Sequence, residues 1–116
     1  MTLEYWHNPR CSKSRQGKEL LDEASTSYTV RSYLDSPPTA KELDAVLKAL
    51  GKEPWDVARM GEDVAKDLDL KSMPHDRSKW IAVMVDNPIL IERPILVSSD
   101  GRAALGRPPE DLKALL

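Results

Sequence analysis

The first third of the chain combines two strand-like stretches with a helical pattern between them. Residues 2–6 predict a short strand, and residues 28–33 alternate and carry β-branched and aromatic side chains. Between them, residues 12–24 repeat small and apolar side chains at helical spacing: Gly17, Leu20, Leu21 and Ala24. A helix that connects two strands is typical of a crossover, so we expect the two strands to be parallel.

The rest of the chain predicts several helices and a hairpin. Thr39-Ala40-Lys41-Glu42 has the spacing of a capping box, which predicts the start of a helix. Gly51 is expected to end that helix. Further helices are predicted over 54–60, 62–68, 76–86 and from 108 onwards. Two strands, 94–97 and 102–105, flank a turn at Asp100-Gly101. This order of elements predicts an α/β thioredoxin-like fold, a mixed sheet flanked by helices, with a helical insertion.

Composition narrows the class of protein. The 116 residues suffice for one hydrophobic core, so we expect a single domain over 1–116. The formal net charge of −2 argues against a nucleic-acid binder, whose domain is usually strongly basic. No apolar run is long enough to span a membrane, and the first residues lack the features of a signal peptide. A single cysteine fits a reducing compartment, which predicts a cytoplasmic protein.

That cysteine lies in a basic stretch, His7-Asn8-Pro9-Arg10-Cys11-Ser12-Lys13-Ser14-Arg15. A free cysteine is often a small buried hydrophobe. Here, however, Asn8-Pro9 predicts a loop, and the neighbouring residues are polar or basic rather than apolar. Nearby cations and the free backbone N–H groups at a helix start both favour the thiolate, which is the reactive form. The sequence therefore predicts that Cys11 is a nucleophile with a lowered pKa.

Four motifs follow one another along the chain. They are the segment around Cys11, Tyr33-Leu34-Asp35-Ser36-Pro37-Pro38-Thr39, Asn87-Pro88-Ile89-Leu90-Ile91-Glu92-Arg93-Pro94-Ile95, and Gly106-Arg107-Pro108. In this order they resemble the motifs of the glutaredoxin-dependent arsenate reductase family. The resemblance covers nearly the whole chain and implies the same thioredoxin-like fold.

The resemblance also implies roles for particular residues. Cys11 corresponds to the nucleophile of that family, and His7 to a loop histidine that is important for activity. Three arginines correspond to the groups that bind the oxyanion: Arg59, Arg93 and Arg107. Arg59 is expected on the helix over 54–60, and Arg93-Pro94 resembles a cis-proline step that faces the cysteine. Guanidinium groups suit this task because their planar fork of donors matches tetrahedral oxygens.

The function that the resemblance implies is reduction of arsenate to arsenite, with glutathione as co-substrate and glutaredoxin as partner. No tightly bound cofactor is expected, and one Cys with two His does not give a familiar zinc spacing. Two alternatives remain open. One is a general glutathione-dependent thiol oxidoreductase that uses the same nucleophile. The other is an Spx-type redox transcription regulator, although Ser14 stands where the second cysteine of its Cys-x-x-Cys switch would be.

Overall fold

The computed structural model describes residues 2–116, and Met1 of the predicted 1–116 domain lies outside them. Four strands form one sheet in the order β2-β1-β3-β4: β1 Leu3–Trp6, β2 Thr29–Arg31, β3 Ile95–Ser98 and β4 Ala103–Leu105. β1 pairs with β2 in parallel and with β3 in antiparallel register, and β3 pairs with β4 in antiparallel register. The predicted mixed sheet, with its parallel first pair, is confirmed.

Helices cover both faces of the sheet because side chains alternate along its central strands. Tyr5 and Leu96 point to one face, where they pack with residues of α1 (Ser12–Glu23) and of the C-terminal 3₁₀ helix Pro109–Leu115. Trp6 and Ile95 point to the other face. There they meet α2 (Ala40–Leu50) and α4 (Arg77–Asp86), and α3 (Asp63–Asp67) completes this layer.

The helical insertion lies between β2 and β3, and its main helix begins as predicted. The Thr39 hydroxyl accepts a hydrogen bond from the Glu42 N–H, and the Glu42 carboxylate accepts one from the Thr39 N–H. This capping box stabilises the start of α2 because it satisfies two backbone donors. Gly51 closes α2 in the left-handed conformation, φ 68°. No helix among residues 2–116 has the length and apolar character needed to cross a membrane.

One predicted helix is wrong over most of its length. Residues 54–60 form a 3₁₀ turn, Pro54–Asp56, and the chain then runs alongside the segment that leads to β3. Ala58 makes an antiparallel bridge with Ile91, and the Arg59 N–H donates to the Leu90 carbonyl at 2.8 Å. Arg59 is therefore held by backbone pairing with a distant segment and does not lie on a helix.

Other differences concern element type and length. Residues 109–115 are helical as predicted, but as a 3₁₀ rather than an α-helix. Two further 3₁₀ turns, Leu70–Ser72 and Pro88–Leu90, are absent from the sequence prediction. The second turn lies just before Glu92 and Arg93, two charged residues that take part in the candidate site.

Candidate active site

A buried asparagine shapes the loop that presents the thiol. Asn8 is 2% exposed, and its carbonyl accepts a hydrogen bond from the Cys11 N–H at 3.0 Å. Its side-chain Oδ1 accepts another from the Arg10 N–H at 3.0 Å. These bonds turn the chain so that Cys11 becomes the N-cap residue of α1, with extended backbone angles φ −95° and ψ 124°. The sulfur therefore sits at the N-terminus of that helix, where the backbone N–H groups are free.

The surroundings of Cys11 favour its ionised form. Partial burial opposes ionisation, but hydrogen bonding by the Ser14 N–H outweighs it, together with the Arg93 guanidinium and the Lys13 N–H. The pKa of the thiol is consequently lower than its ordinary value, as predicted. The reason differs in part from the sequence argument, because the charge acting on the sulfur belongs to Arg93 and not to the cations of the loop.

Two arginines reach the sulfur from the other end of the chain. Arg107 Nη2 lies 3.5 Å from Cys11 Sγ, and Arg107 Nε donates to the Arg93 carbonyl at 2.7 Å. Arg93 is 7% exposed, and its Nη1 donates to the Ile89 carbonyl at 3.3 Å. The peptide bonds Arg93-Pro94 and Arg107-Pro108 are both cis. The two guanidinium groups thus stand beside the thiol on segments that are fixed by backbone bonds.

Two carboxylates tie the third arginine to this pair. Arg59 Nη1 lies 2.7 Å from Glu92 Oε1, and Arg59 Nε lies 3.1 Å from Glu62 Oε1. Glu92 Oε1 is also 3.0 Å from Arg107 Nε, and Glu62 Oε1 is 3.8 Å from Arg93 Nη2. Burial alone would lower the pKa of Arg59. The hydrogen bonds and charges of Glu92 and Glu62 raise that pKa by more, so its net shift is upward. Three guanidinium groups and two carboxylates form one charged cluster beside Cys11.

His7 contacts the thiol loop through a serine. Its Nδ1 lies 2.7 Å from the Ser14 Oγ, which also accepts the Asn8 N–H at 3.0 Å. The pKa of His7 is lowered by burial and then by the positive charges of Lys18 and Arg15, which favours a neutral imidazole. Since the Ser14 N–H is a main stabiliser of the Cys11 thiolate, His7 is positioned to fix the residue that carries that N–H.

Two buried polar atoms among residues 2–116 lack a hydrogen-bond partner, and both belong to this region. They are Arg93 Nε and the hydroxyl of Tyr33. Tyr33 is fully buried, which raises the pKa of its phenol to about 12, although the positive charge of Arg93 and the nearby Asn8 side chain lower that pKa in part. Buried polar groups without partners are uncommon, and they often mark places where a ligand or a water molecule binds.

Comparison with known proteins agrees with this geometry. The model of the ArsC family matches residues 6–115. The chain belongs to the ArsC family. It is 38% identical to an arsenate reductase of Neisseria meningitidis serogroup A over 98% of this chain and 97% of that protein. It is 32% identical to the arsenate reductase of Escherichia coli K12 over 98% of this chain and 80% of that protein.

A solved structure of an arsenate reductase from Vibrio cholerae superposes with a TM-score of 0.92. The identity is 37%, and the match covers 100% of this chain and 98% of the Vibrio chain. The predicted thioredoxin-like fold of the arsenate reductases is therefore confirmed for this ArsC family member.

The structure brings four of the five predicted site residues into one charged centre and ties the fifth to it. Cys11, Arg93 and Arg107 adjoin one another, and Arg59 joins them through shared carboxylates. His7 reaches the centre through Ser14. The sequence predicted no catalytic or binding role for five residues that this ArsC family site contains: Asn8, Ser14, Tyr33, Glu62 and Glu92. Glu92 had a signal, because it directly precedes Arg93 within one of the four motifs.

Proposed function

We propose that this protein reduces arsenate to arsenite, with Cys11 as the nucleophile and with glutathione and glutaredoxin as the source of electrons. One observation carries the proposal: a thiol with a lowered pKa at a helix N-terminus has an arginine Nη2 3.5 Å from its sulfur. The names of the relatives in Neisseria meningitidis and Escherichia coli support arsenate as the substrate.

The arginine cluster suits the first step. Arsenate and a thiolate are both negative, so their approach requires fixed positive charge, which Arg93, Arg107 and Arg59 supply. With the arginines on the arsenate oxygens, the Cys11 thiolate attacks arsenic. An arsenic–sulfur bond forms, an arsenic–oxygen bond breaks, and the departing oxygen takes up protons and leaves as water. The product is a thioarsenate adduct on Cys11.

The second step needs a thiol from outside the chain. Reduction of arsenate to arsenite requires two electrons, which two thiols supply when they become a disulfide, and the chain has one cysteine. The glutathione thiolate attacks the Cys11 sulfur, the sulfur–arsenic bond breaks, and its electron pair stays on arsenic. Arsenite leaves, and Cys11 carries glutathione as a mixed disulfide. Glutaredoxin then removes the glutathione by thiol–disulfide exchange and restores the free thiol.

His7 acts in this scheme as a positioning residue. Its bond to Ser14 Oγ and the bond from the Asn8 N–H to the same oxygen fix the first turn of α1. That turn carries the Ser14 N–H, which stabilises the thiolate. The contribution of His7 is therefore to hold the loop in the geometry that keeps the pKa of Cys11 low.

The proposal is tested by arsenate-dependent oxidation of NADPH in the presence of glutathione, glutaredoxin and glutathione reductase. We expect multiple turnovers in this mixture, none with thioredoxin and thioredoxin reductase alone, and none for Cys11→Ser. Sustained turnover with thioredoxin and no glutathione would contradict the electron path. NADPH oxidation by disulfide substrates without any effect of arsenate would instead support the general thiol oxidoreductase.

The same assay tests the arginines. Arg93→Lys and Arg107→Lys keep the charge but lose the planar fork, so we expect each to lower kcat/KM by roughly tenfold or more. Arg77→Lys is the matched control, because Arg77 pairs with Asp44 and Glu53 on the surface, away from Cys11. Full activity of both site variants would refute the oxyanion role of these two arginines.

A further inference from the structure

The anion site contains two carboxylates, which weaken the binding of any anion. Three guanidinium groups against two carboxylates leave a single net positive charge, and the Cys11 thiolate cancels it. The charges of Glu62 and Glu92 do not help a site to attract an anion, although their ion pairs also orient the arginines. Their presence calls for a reason that concerns the kind of anion and not just its charge.

Glu92 is held rigidly, with one oxygen engaged and one left over. Its N–H donates to the Val57 carbonyl at 2.9 Å, which fixes the backbone beside the Ala58–Ile91 bridge. Its Oε1 accepts from Arg59 Nη1 and from the Arg93 N–H, and lies 3.0 Å from Arg107 Nε. Within residues 2–116, the hydrogen bonds that the Glu92 side chain accepts end on Oε1, and none ends on Oε2. Oε2 can therefore accept a hydrogen bond from a ligand. The Arg107 guanidinium lies between Glu92 and the sulfur, since its Nε is 3.0 Å from Glu92 Oε1 and its Nη2 is 3.5 Å from Cys11 Sγ.

Oxyanions differ in whether they carry a proton that such an acceptor can bind. Arsenate and phosphate retain at least one proton at neutral pH, whereas sulfate retains none. A protonated oxyanion can donate its O–H to a carboxylate while its other oxygens accept from arginines. A fully deprotonated oxyanion would place its lone pairs against the half-buried carboxylate, and the repulsion between these like charges has no proton to offset it.

We propose that Glu92 is a specificity-determining residue that accepts the proton-bearing oxygen of the substrate and thereby selects hydrogen arsenate over sulfate. This inference rests on the proposed function, since it assumes that an oxyanion binds among the three arginines. Glu62 has a different place in the cluster. Its Oε1 lies 3.8 Å from Arg93 Nη2, farther than the 3.0 Å between Glu92 Oε1 and Arg107 Nε, and it makes no ion pair with Arg107.

The test is equilibrium binding of hydrogen arsenate, hydrogen phosphate and sulfate to the full chain above neutral pH, measured by calorimetry without any thiol reductant. Under these conditions all three anions carry the same charge and differ in whether they hold a proton. For the unchanged protein we expect phosphate and arsenate to bind at least about tenfold more tightly than sulfate. The Glu92 carboxylate accepts a hydrogen bond from a ligand O–H, and sulfate has no O–H to donate.

Glu92→Gln separates this role from simple orientation of the arginines. Glutamine keeps an oxygen that can accept from Arg59 and gains an amide donor that can serve sulfate. We expect the ratio of the sulfate to the phosphate dissociation constant to fall by about tenfold or more. Glu62→Gln removes the same charge from the same cluster, so it should tighten all three anions together and leave the ratio unchanged.

The outcomes distinguish the two proposals. If arsenate binds to the unchanged protein but Glu92→Gln and Glu62→Gln give the same ratio, the assignment of Glu92 is wrong and the proposed function stands. If Glu92→Gln folds, as judged by circular dichroism, and still rejects sulfate as the parent does, the assignment is also wrong. If none of the three anions binds to the unchanged protein, both proposals fail.

Discussion

At the scale of single residues, the thiol of Cys11 is controlled by groups from both ends of the chain. The start of α1 supplies the Ser14 and Lys13 N–H groups, and the region around β3 supplies the Arg93 guanidinium. Arg107, which follows β4, places a second guanidinium 3.5 Å from the sulfur. A reactive cysteine is thus assembled only when the N-terminal and C-terminal halves of the sheet have come together.

The lowered pKa of Cys11 gives a measurable pH dependence. Alkylation by iodoacetamide follows the thiolate, so its rate should rise through a midpoint below the value of about 8.5 for free cysteine. The same protein in concentrated urea is the control, because unfolding removes the Ser14 N–H and Arg93 from the sulfur. Its midpoint should return to the free-cysteine value. A folded midpoint at or above the unfolded one would show that these groups do not stabilise the thiolate.

At the scale of elements, α1 approaches the sheet closely because it carries Gly17 on its buried face. A Cβ built at Gly17 would meet the Tyr5 hydroxyl, and it would lie 2.9 Å from Leu112 Cδ1 and 3.3 Å from Pro94 Cγ. The Tyr5 hydroxyl donates to the Ser14 carbonyl at 2.7 Å, next to the cysteine loop. The missing side chain therefore allows α1, β1 and the C-terminal 3₁₀ helix to meet beneath the site.

Gly17→Ala should destabilise the protein although alanine is the better helix former. Overpacking against three side chains costs up to about 3 kcal/mol and is opposed by a gain in helix propensity of about 1 kcal/mol, so we expect a net loss of up to roughly 2 kcal/mol. Urea unfolding measures the change. Gly61→Ala is the control, because nothing lies within 4 Å of a Cβ at that position. An unchanged or raised midpoint for Gly17→Ala would mean that the close packing does not depend on the glycine.

At the scale of the whole molecule, local patterns predicted the order of elements better than the contacts between them. The capping box at Thr39 and the crossover helix after β1 follow from spacing alone. Arg59 does not, because a distant bridge between Ala58 and Ile91 overrides the local helical pattern. Glu62 was missed for a similar reason, because a glutamate outside the four motifs has the pattern of an ordinary surface charge. Glu92 lies within a motif, but its ion pairs with Arg59 and Arg107 become apparent only in the fold.

The same assembly brings a single thiol into the arginine cluster, so the electron count can be tested in one turnover. The measurement is the intact mass of the protein after incubation with arsenate and reduced glutathione, without glutaredoxin. We predict one glutathione on Cys11 per chain, formed together with one arsenite, dependent on arsenate and absent in Cys11→Ser. Arsenite formation without this mixed disulfide, or glutathione attached equally well without arsenate, would contradict the account of Cys11 as the nucleophile that reduces arsenate.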